Sequence, residues 1–256
     1  VVFVCKPVFS QVDSTSTQPP INTARPSMTE GTAIIPKGFF QIETGFVYEK
    51  NKYGNEEYRY PTTFFRYGLI KNVELRLYGQ YVNGSTTYSD ISFTDKYSGM
   101  DDLTFSTKVK LFHLKKIKTN VAAAAFLTIP SGSDEISSNH TYPSFFILVD
   151  QGLLKDWSFS YNLGLQVLSE TTSRFNYTLM LPIPWINSYV ELYGNVDYGS
   201  LSNSGIRHSY VGAGTTYLIK NNIQFDVSGG YCYSASLSGY DGSYSLSTGI
   251  SFRFPN

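Results

Sequence analysis

Residues 241–254, DGSYSLSTGISFRF, alternate without interruption: Tyr244, Leu246, Thr248, Ile250, Phe252 and Phe254 fall on one side, and Ser245, Ser247, Gly249, Ser251 and Arg253 on the other. Successive side chains of a strand point to opposite faces, so this period of two predicts a strand with one apolar and one polar wall. The pattern recurs along the chain. It predicts strands over 38–50, 57–68, 72–83, 101–112, 119–130, 142–151, 157–168, 173–182, 186–197, 207–218, 222–234 and 242–254, with the most ragged alternation in 142–151 and 207–218. No helical stretch exists to cover so many two-faced strands. Closing them into a tube whose apolar face meets lipid satisfies them all.

The connections support that closure. Those after odd strands tend to be longer and polar, as in Asn51–Glu56, Asn83–Ser98 and Ser131–Thr141. Those after even strands are mostly short, as in Leu69–Asn72, Leu181–Trp185 and Ile219–Asn222, while the basic stretch His113–Lys118 makes another turn. Outer-membrane barrels show this asymmetry, with long loops outside the cell and short turns in the periplasm. The expected fold is therefore all-β: a transmembrane antiparallel up-and-down β-barrel of about 12 strands with both termini periplasmic. A soluble sandwich would have shorter strands and an outer face rich in Lys and Glu. Within the barrel, replacing Leu246 or Ile250 with Arg should impair insertion, whereas Ser247 or Ser251 should accept Asp far better.

Composition agrees with this picture. Aromatic residues make up 16% of the 256-residue chain and charged residues only 16%, against roughly 25% charged in ordinary domains. The mean hydropathy of −0.17 is what two opposed faces average to. No apolar run is long enough for a transmembrane helix. Lys and Arg number 20 and Asp and Glu 20, so the basic excess of a nucleic-acid surface is missing.

Ahead of the barrel, residues 1–10 (VVFVCKPVFS) read as the tail of a secretory signal, with Val8 and Ser10 before Gln11. Cys5 would leave with it, so Cys232 would stand alone and no disulfide is expected. Residues 11–37 are rich in Ser, Thr, Pro and Gln without a period. They are expected to be irregular, either periplasmic or tucked into the barrel as a plug, with residues 38–256 forming the barrel itself.

The polar faces supply the candidate lumen: Glu43, Arg66, Glu74, Arg76, Tyr78, Asp102, Lys108, Lys110, Arg174, Glu191, Tyr193, Asp197, Asp226 and Arg253. The signs balance and interleave across neighbouring strands, which argues against a strongly selective ion pore, since such pores carry rings of one sign. Paired charges could simply brace the tube, or could line a solute path or hold the N-terminal segment. Tyr78, Tyr189 and Tyr193 could stack on an aromatic or sugar solute, or fill space. A twelve-strand tube is also narrower than an open porin of 16–18 strands.

Several strings occur in an order that resembles a known family: TARPSMTEGTAIIPKGFFQIETGFVY (23–48), TTFFRYGLIKNVELRL (62–77), GMDDLTFSTKVKL (99–111) and LTIPSGS (127–133). The resemblance is to the transporter-like outer-membrane proteins of the meta-pathway of phenol degradation family, including forms from Bacteroidetes-like bacteria. It implies a barrel that moves small, aromatic or hydrophobic, solutes, and not an enzyme of phenol breakdown. The expected partners are outer-membrane lipid, the solute and the barrel-assembly machinery, to which the aromatic end Phe252-Arg253-Phe254 is suited although Pro255-Asn256 follow. No nucleic acid is expected.

Two other functional classes rank lower. Polar loops 83–99, 131–141 and 198–206 would suit surface adhesion or a purely structural barrel. A lipid hydrolase needs a serine near an oriented histidine. His113, His140 and His208 lack the His, one residue, Ser-Asn-Gly pattern of outer-membrane phospholipase. No catalytic residue is assigned, and no ligand spacing points to a metal or other cofactor.

Overall fold

A computed structural model describes residues 19–88, 93–153, 157–169, 171–199, 202–236 and 241–254. The segment read as a signal remnant, with Cys5, and Pro255-Asn256 lie outside the described residues. The strands are β1 (Phe40–Lys50), β2 (Glu56–Ile70), β3 (Val73–Tyr88), β4 (Phe93–Met100), β5 (Leu103–Leu114), β6 (Thr119–Ile129), β7 (Tyr142–Gly152), β8 (Ser158–Val167), β9 (Thr172–Ile183), β10 (Ser188–Gly199), β11 (Ser202–Lys220), β12 (Ile223–Ala235) and β13 (Tyr244–Phe254).

Successive strands pair antiparallel, except β4 with β5, which both pair with β3, and the first strand pairs with the last from Phe40↔Phe254 to Lys50↔Tyr244. That pairing closes the sheet into a barrel and leaves no open edge along its wall. β4 and β5 share one place in the wall. The lower half of β3 pairs with β5 (Val73↔Val109 to Tyr78↔Thr104), and its upper half pairs with β4 (Tyr81↔Met100 to Tyr88↔Phe93). The wall thus has twelve positions. The ends of β1 and β13 meet at one rim, called here the terminal rim, together with the short turns. The long connections lie at the opposite loop rim.

The expected loop Asn83–Ser98 is instead a hairpin, in which β3 runs on to Tyr88 and β4 returns from Phe93. It lacks the period of two because it rises above the barrel, where neither face must be apolar. Its strands rest on backbone pairing and on Thr87 opposite Thr94. For the same reason β11 begins at Ser202 rather than near 207.

Burial is inverted relative to a soluble protein. Leu165 is 60% exposed and Phe145 61%, whereas Glu43, Glu74 and Asp226 are fully buried. The apolar residues point outward into what must be hydrocarbon, so the chain is a bacterial outer-membrane barrel. Aromatic side chains gather near both rims, with Trp157 and Trp185 edge to face at 5.3 Å at the terminal rim and Tyr48 near Tyr58 and Tyr244 at the loop rim.

β6 is the exception to the two-faced rule. Its sequence TNVAAAAFLTI is apolar on both faces, and its inward Ala122 and Ala124 pack with Leu148 against Phe126 and Phe146. A greasy stripe therefore runs up the inside of β6 and β7.

The faces make a graded prediction. Leu246 is exposed to lipid, so Leu246→Arg should cost roughly 2–4 kcal/mol at mid-membrane. Ser247→Asp should be tolerated, because Ser247 faces the guanidinium of Arg25 at 2.8 Å. Ser251→Asp should not, contrary to expectation from the face alone: Ser251 is fully buried and lies opposite Glu43. Folding yields into detergent or lipid, scored by heat-modifiable gel migration, would rank the three. Equal yields would contradict the face assignment.

Candidate functional site

Residues 19–37 form a strap that crosses the lumen near the terminal rim. An irregular segment cannot satisfy its own backbone donors, so they must be met by its surroundings. Here the barrel wall meets them with carboxylates. Glu43 accepts from Ala24 N and Arg25 N at 2.9 and 3.0 Å. Glu191 accepts from Met28 N and Thr29 N at 3.0 and 3.1 Å. Asp150 takes Thr32 N and Oγ1 at 2.8 and 2.5 Å, and Glu74 takes Ile35 N at 2.9 Å. These acceptors stand on β1, β10, β7 and β3, so the strap is gripped from around the whole ring.

Cations hold the strap's carbonyls. Arg253 donates to Pro19 O and Pro20 O, Arg66 to Asn22 O at 3.2 Å, and Lys108 to Gly31 O at 2.7 Å. The strap's two side-chain charges among residues 19–36 are anchored as well. Arg25 reaches Asp226 at 3.2 Å, Thr62 at 3.2 Å and Thr248 O at 3.0 Å. Its guanidinium lies flat against Gly45 and Gly249, where any Cβ would overlap it. Glu30 pairs with Arg76 and, at 2.6 Å, with Lys108.

Glu30 completes a buried ionic network. Arg66 bonds Glu43 at 2.6 Å and Glu74 at 2.8 Å, while Arg76 joins Glu74 to Glu30. Three carboxylates thus face three cations (Arg66, Arg76 and Lys108), with one of the carboxylates supplied by the strap. Sequence reasoning missed Glu30, Arg25 and Asp150. For Arg25 and Glu30 the available signal was two lone opposite charges in a stretch otherwise made of uncharged residues.

Above the strap the lumen has two unlike walls. One is the edge-to-face pair Phe126 and Phe146, 5.5 Å apart and half-buried, next to the Ala122, Ala124 and Leu148 cluster, which is itself buried at the level of Lys108 and the strap. The other carries Tyr193, which stacks on Tyr210 with ring centroids 4.9 Å apart and planes 2° from parallel, while Tyr189, over Gly214, lies buried on the terminal-rim side of Glu191. Between them Arg174 pairs with Asp197 at 2.6 Å, and His208, inside β11, faces Asn195 at 3.2 Å. Tyr78 donates to Gln80 at 2.6 Å. Lys110 is half-buried beside the register shift between Lys110 and Phe112.

Asp102 lies at the break between β4 and β5 and not within a strand. Its carboxylate clasps the loop that follows β6, accepting from Ser131 N (3.0 Å), Gly132 N (2.9 Å), Ser137 Oγ (2.7 Å), Ser138 N (2.9 Å) and Ser138 Oγ (2.6 Å). Beside it, Glu57, Arg59, Tyr97, Asp101 and Glu135 line a cleft of about 380 Å³ at the mouth. Burial would raise the Asp102 carboxyl, but the bonds from Ser138, Ser137 and Gly132 outweigh it and hold it well below the usual range. A folded value below the unfolded one, about 3.9, makes the clasp complete above that pH and lost only as pH falls through the lower folded value. Amide exchange at Gly132 and Ser138 should therefore show the same clasp at pH 5 and pH 7. Asp102→Asn should speed it by about tenfold or more at both, given about 1.5–3 kcal/mol per bond to a charged group. A clasp that opens in the wild type between pH 7 and pH 5 would refute this.

A family model described as "Putative MetA-pathway of phenol degradation" matches residues 23–254, which begin in the strap and end with the last strand. The chain belongs to this family. Among solved structures, an outer membrane channel from Pseudomonas putida F1 is similar over 87% of this chain and 97% of its own, with TM-score 0.62 and 12% identity. At that identity the likeness is one of fold. A KdgM porin solved with disordered oligogalacturonate matches 83% of this chain and 99% of its own at TM-score 0.45 and 10% identity. The CymD monoaromatic hydrocarbon channel matches 87% and 90% at TM-score 0.41 and 7% identity. No curated protein matches the sequence.

Proposed function

We propose that this member of the phenol-degradation family is a non-enzymatic outer-membrane channel for small solutes, aromatic or hydrophobic ones among them, whose lumen the N-terminal strap closes. The observation that carries this reading is the grip on the strap. Four wall carboxylates accept its backbone N–H groups, and four wall cations hold its carbonyls or Glu30. Such bonds seat a segment without fusing it to the wall, so the strap is a closure that can leave. The short turns at the terminal rim support a periplasmic position for it, with the hairpin and clasped loop outside.

The two-walled lumen fits planar solutes with a polar edge. A ring can lie against Phe126 and Phe146 while its hydroxyl faces the tyrosine wall, where Tyr193 and Tyr210 offer stacking faces.

Liposome swelling tests the reading with solutes that lipid alone excludes. A phenyl glycoside should enter faster than an oligosaccharide of equal mass, and Tyr193→Ala should erase that preference while leaving general flux. Absence of flux in both the full chain and a strap-deleted chain would favour a structural or adhesive barrel.

A further inference from the structure

The two rims carry different charge. At the terminal rim Lys71 lies between β2 and β3, Lys115, Lys116 and Lys118 between β5 and β6, Lys220 at the end of β11, and Lys37 just before β1. All six are exposed, and among the described residues of these turns there is no Asp or Glu. None of the six makes an ion pair among the described residues. At the loop rim, by contrast, the charges are mixed: Lys50 pairs with Glu56, Lys52 with Asp241 and Arg59 with Glu49, and Lys96 and Arg207, which make no ion pair among the described residues, share that rim with Asp95, Asp134 and Glu135.

The β5–β6 turn is built for an interface. A single 3-10 turn over Lys115–Ile117 is closed by Lys118 at φ 52, whose N–H returns to Lys115 O. Ile117 is 56% exposed and Phe112 and Leu114 are exposed below it, so apolar side chains reach hydrocarbon while the ammonium groups stand at headgroup level. The turn is tied to the aromatic girdle. Lys118 Nζ donates to Leu153 O at 3.2 Å, and Leu153 N donates to Trp157 O at 2.8 Å, next to the Trp157–Trp185 pair.

We propose that this lysine and tryptophan rim binds the anionic headgroups of glycerophospholipids, phosphatidylglycerol and cardiolipin. The charge is complementary, no protein carboxylate among the described residues of these turns competes for it, and the apolar anchors fix its depth at the phosphate plane. The inference needs only the membrane-spanning barrel, not solute transport.

The chain's two tryptophans both sit at this rim, so their fluorescence reports the lipids that touch it. The full chain is reconstituted in phosphatidylcholine vesicles doped with brominated phosphatidylglycerol or, separately, brominated phosphatidylcholine. Phosphatidylglycerol should quench with an affinity about threefold or more above phosphatidylcholine, and high salt should remove the difference. The triple variant K115Q/K116Q/K118Q should bring the ratio to about one, and K115R/K116R/K118R should restore it, since charge is what matters. Heat-modifiable migration confirms that each variant is folded. Equal quenching by the two lipids in the wild type, or an unchanged ratio in the glutamine variant, overturns the proposal. So does displacement of the brominated lipid by lipid A more readily than by unlabelled phosphatidylglycerol, because the headgroup source would then be wrong.

Discussion

Removing residues 19–37 should turn a barrel that conducts weakly or flickers into one that stays open. The deletion leaves β1 intact, since it starts at Phe40. It also removes Glu30 and Arg25, so the lower lumen keeps carboxylates at Glu43, Glu74, Asp150, Glu191 and Asp226 and cations at Arg66, Arg76, Lys108 and Arg253. That near balance predicts an open pore of weak ion selectivity. A point variant separates release from truncation. Glu30→Gln loses the ionic contacts to Arg76 and Lys108. With about 1.5–3 kcal/mol per bond to a charged group, the strap-out population should rise about tenfold or more. Planar-bilayer recordings check both. Closed, silent channels in both variants would show that the strap is not the barrier.

The largest effect on stability is expected at Arg66. Its guanidinium is 1% exposed and sits between Glu43 and Glu74. Arg66→Met leaves two buried carboxylates without their shared partner and should cost about 3–5 kcal/mol. Arg66→Lys should cost less, because it keeps the charge and loses only the fork that spans both acids. Adding Glu43→Gln and Glu74→Gln to Arg66→Met should recover much of the loss. Urea midpoints of the refolded barrel measure all three. A mild effect of Arg66→Met alone would mean that water reaches the network.

The wall was legible in the sequence because hydrocarbon punishes any polar residue at alternate positions, which writes a period of two into each spanning strand. The same rule put Glu43, Arg66, Glu74 and Arg76 on one face of adjacent strands. Where lipid does not enforce the rule, the signal vanished. The hairpin over β3 and β4 reads as a loop because both its faces meet water. The path of the strap could not be read, since it has no period and its bonds run from backbone to carboxylates on four separate strands. Asp150 illustrates the difficulty. In VDQG nothing sets it apart from a solvated charge near a turn, and only the folded ring brings Thr32 to it. Asp102 was placed on the wall by its parity, but the break after Met100 turns it toward a loop instead.

One consequence of the alanine run in β6 concerns how ions and water travel. Ala122, Ala124 and Leu148 are buried while the strap is seated. Were the strap to leave, a hydrated ion would gain no partner along them and its route would be eccentric, pressed toward the polar far side, while a solute with a nonpolar edge would favour the opposite track. Under the proposed channel, blocking current need not then block cargo.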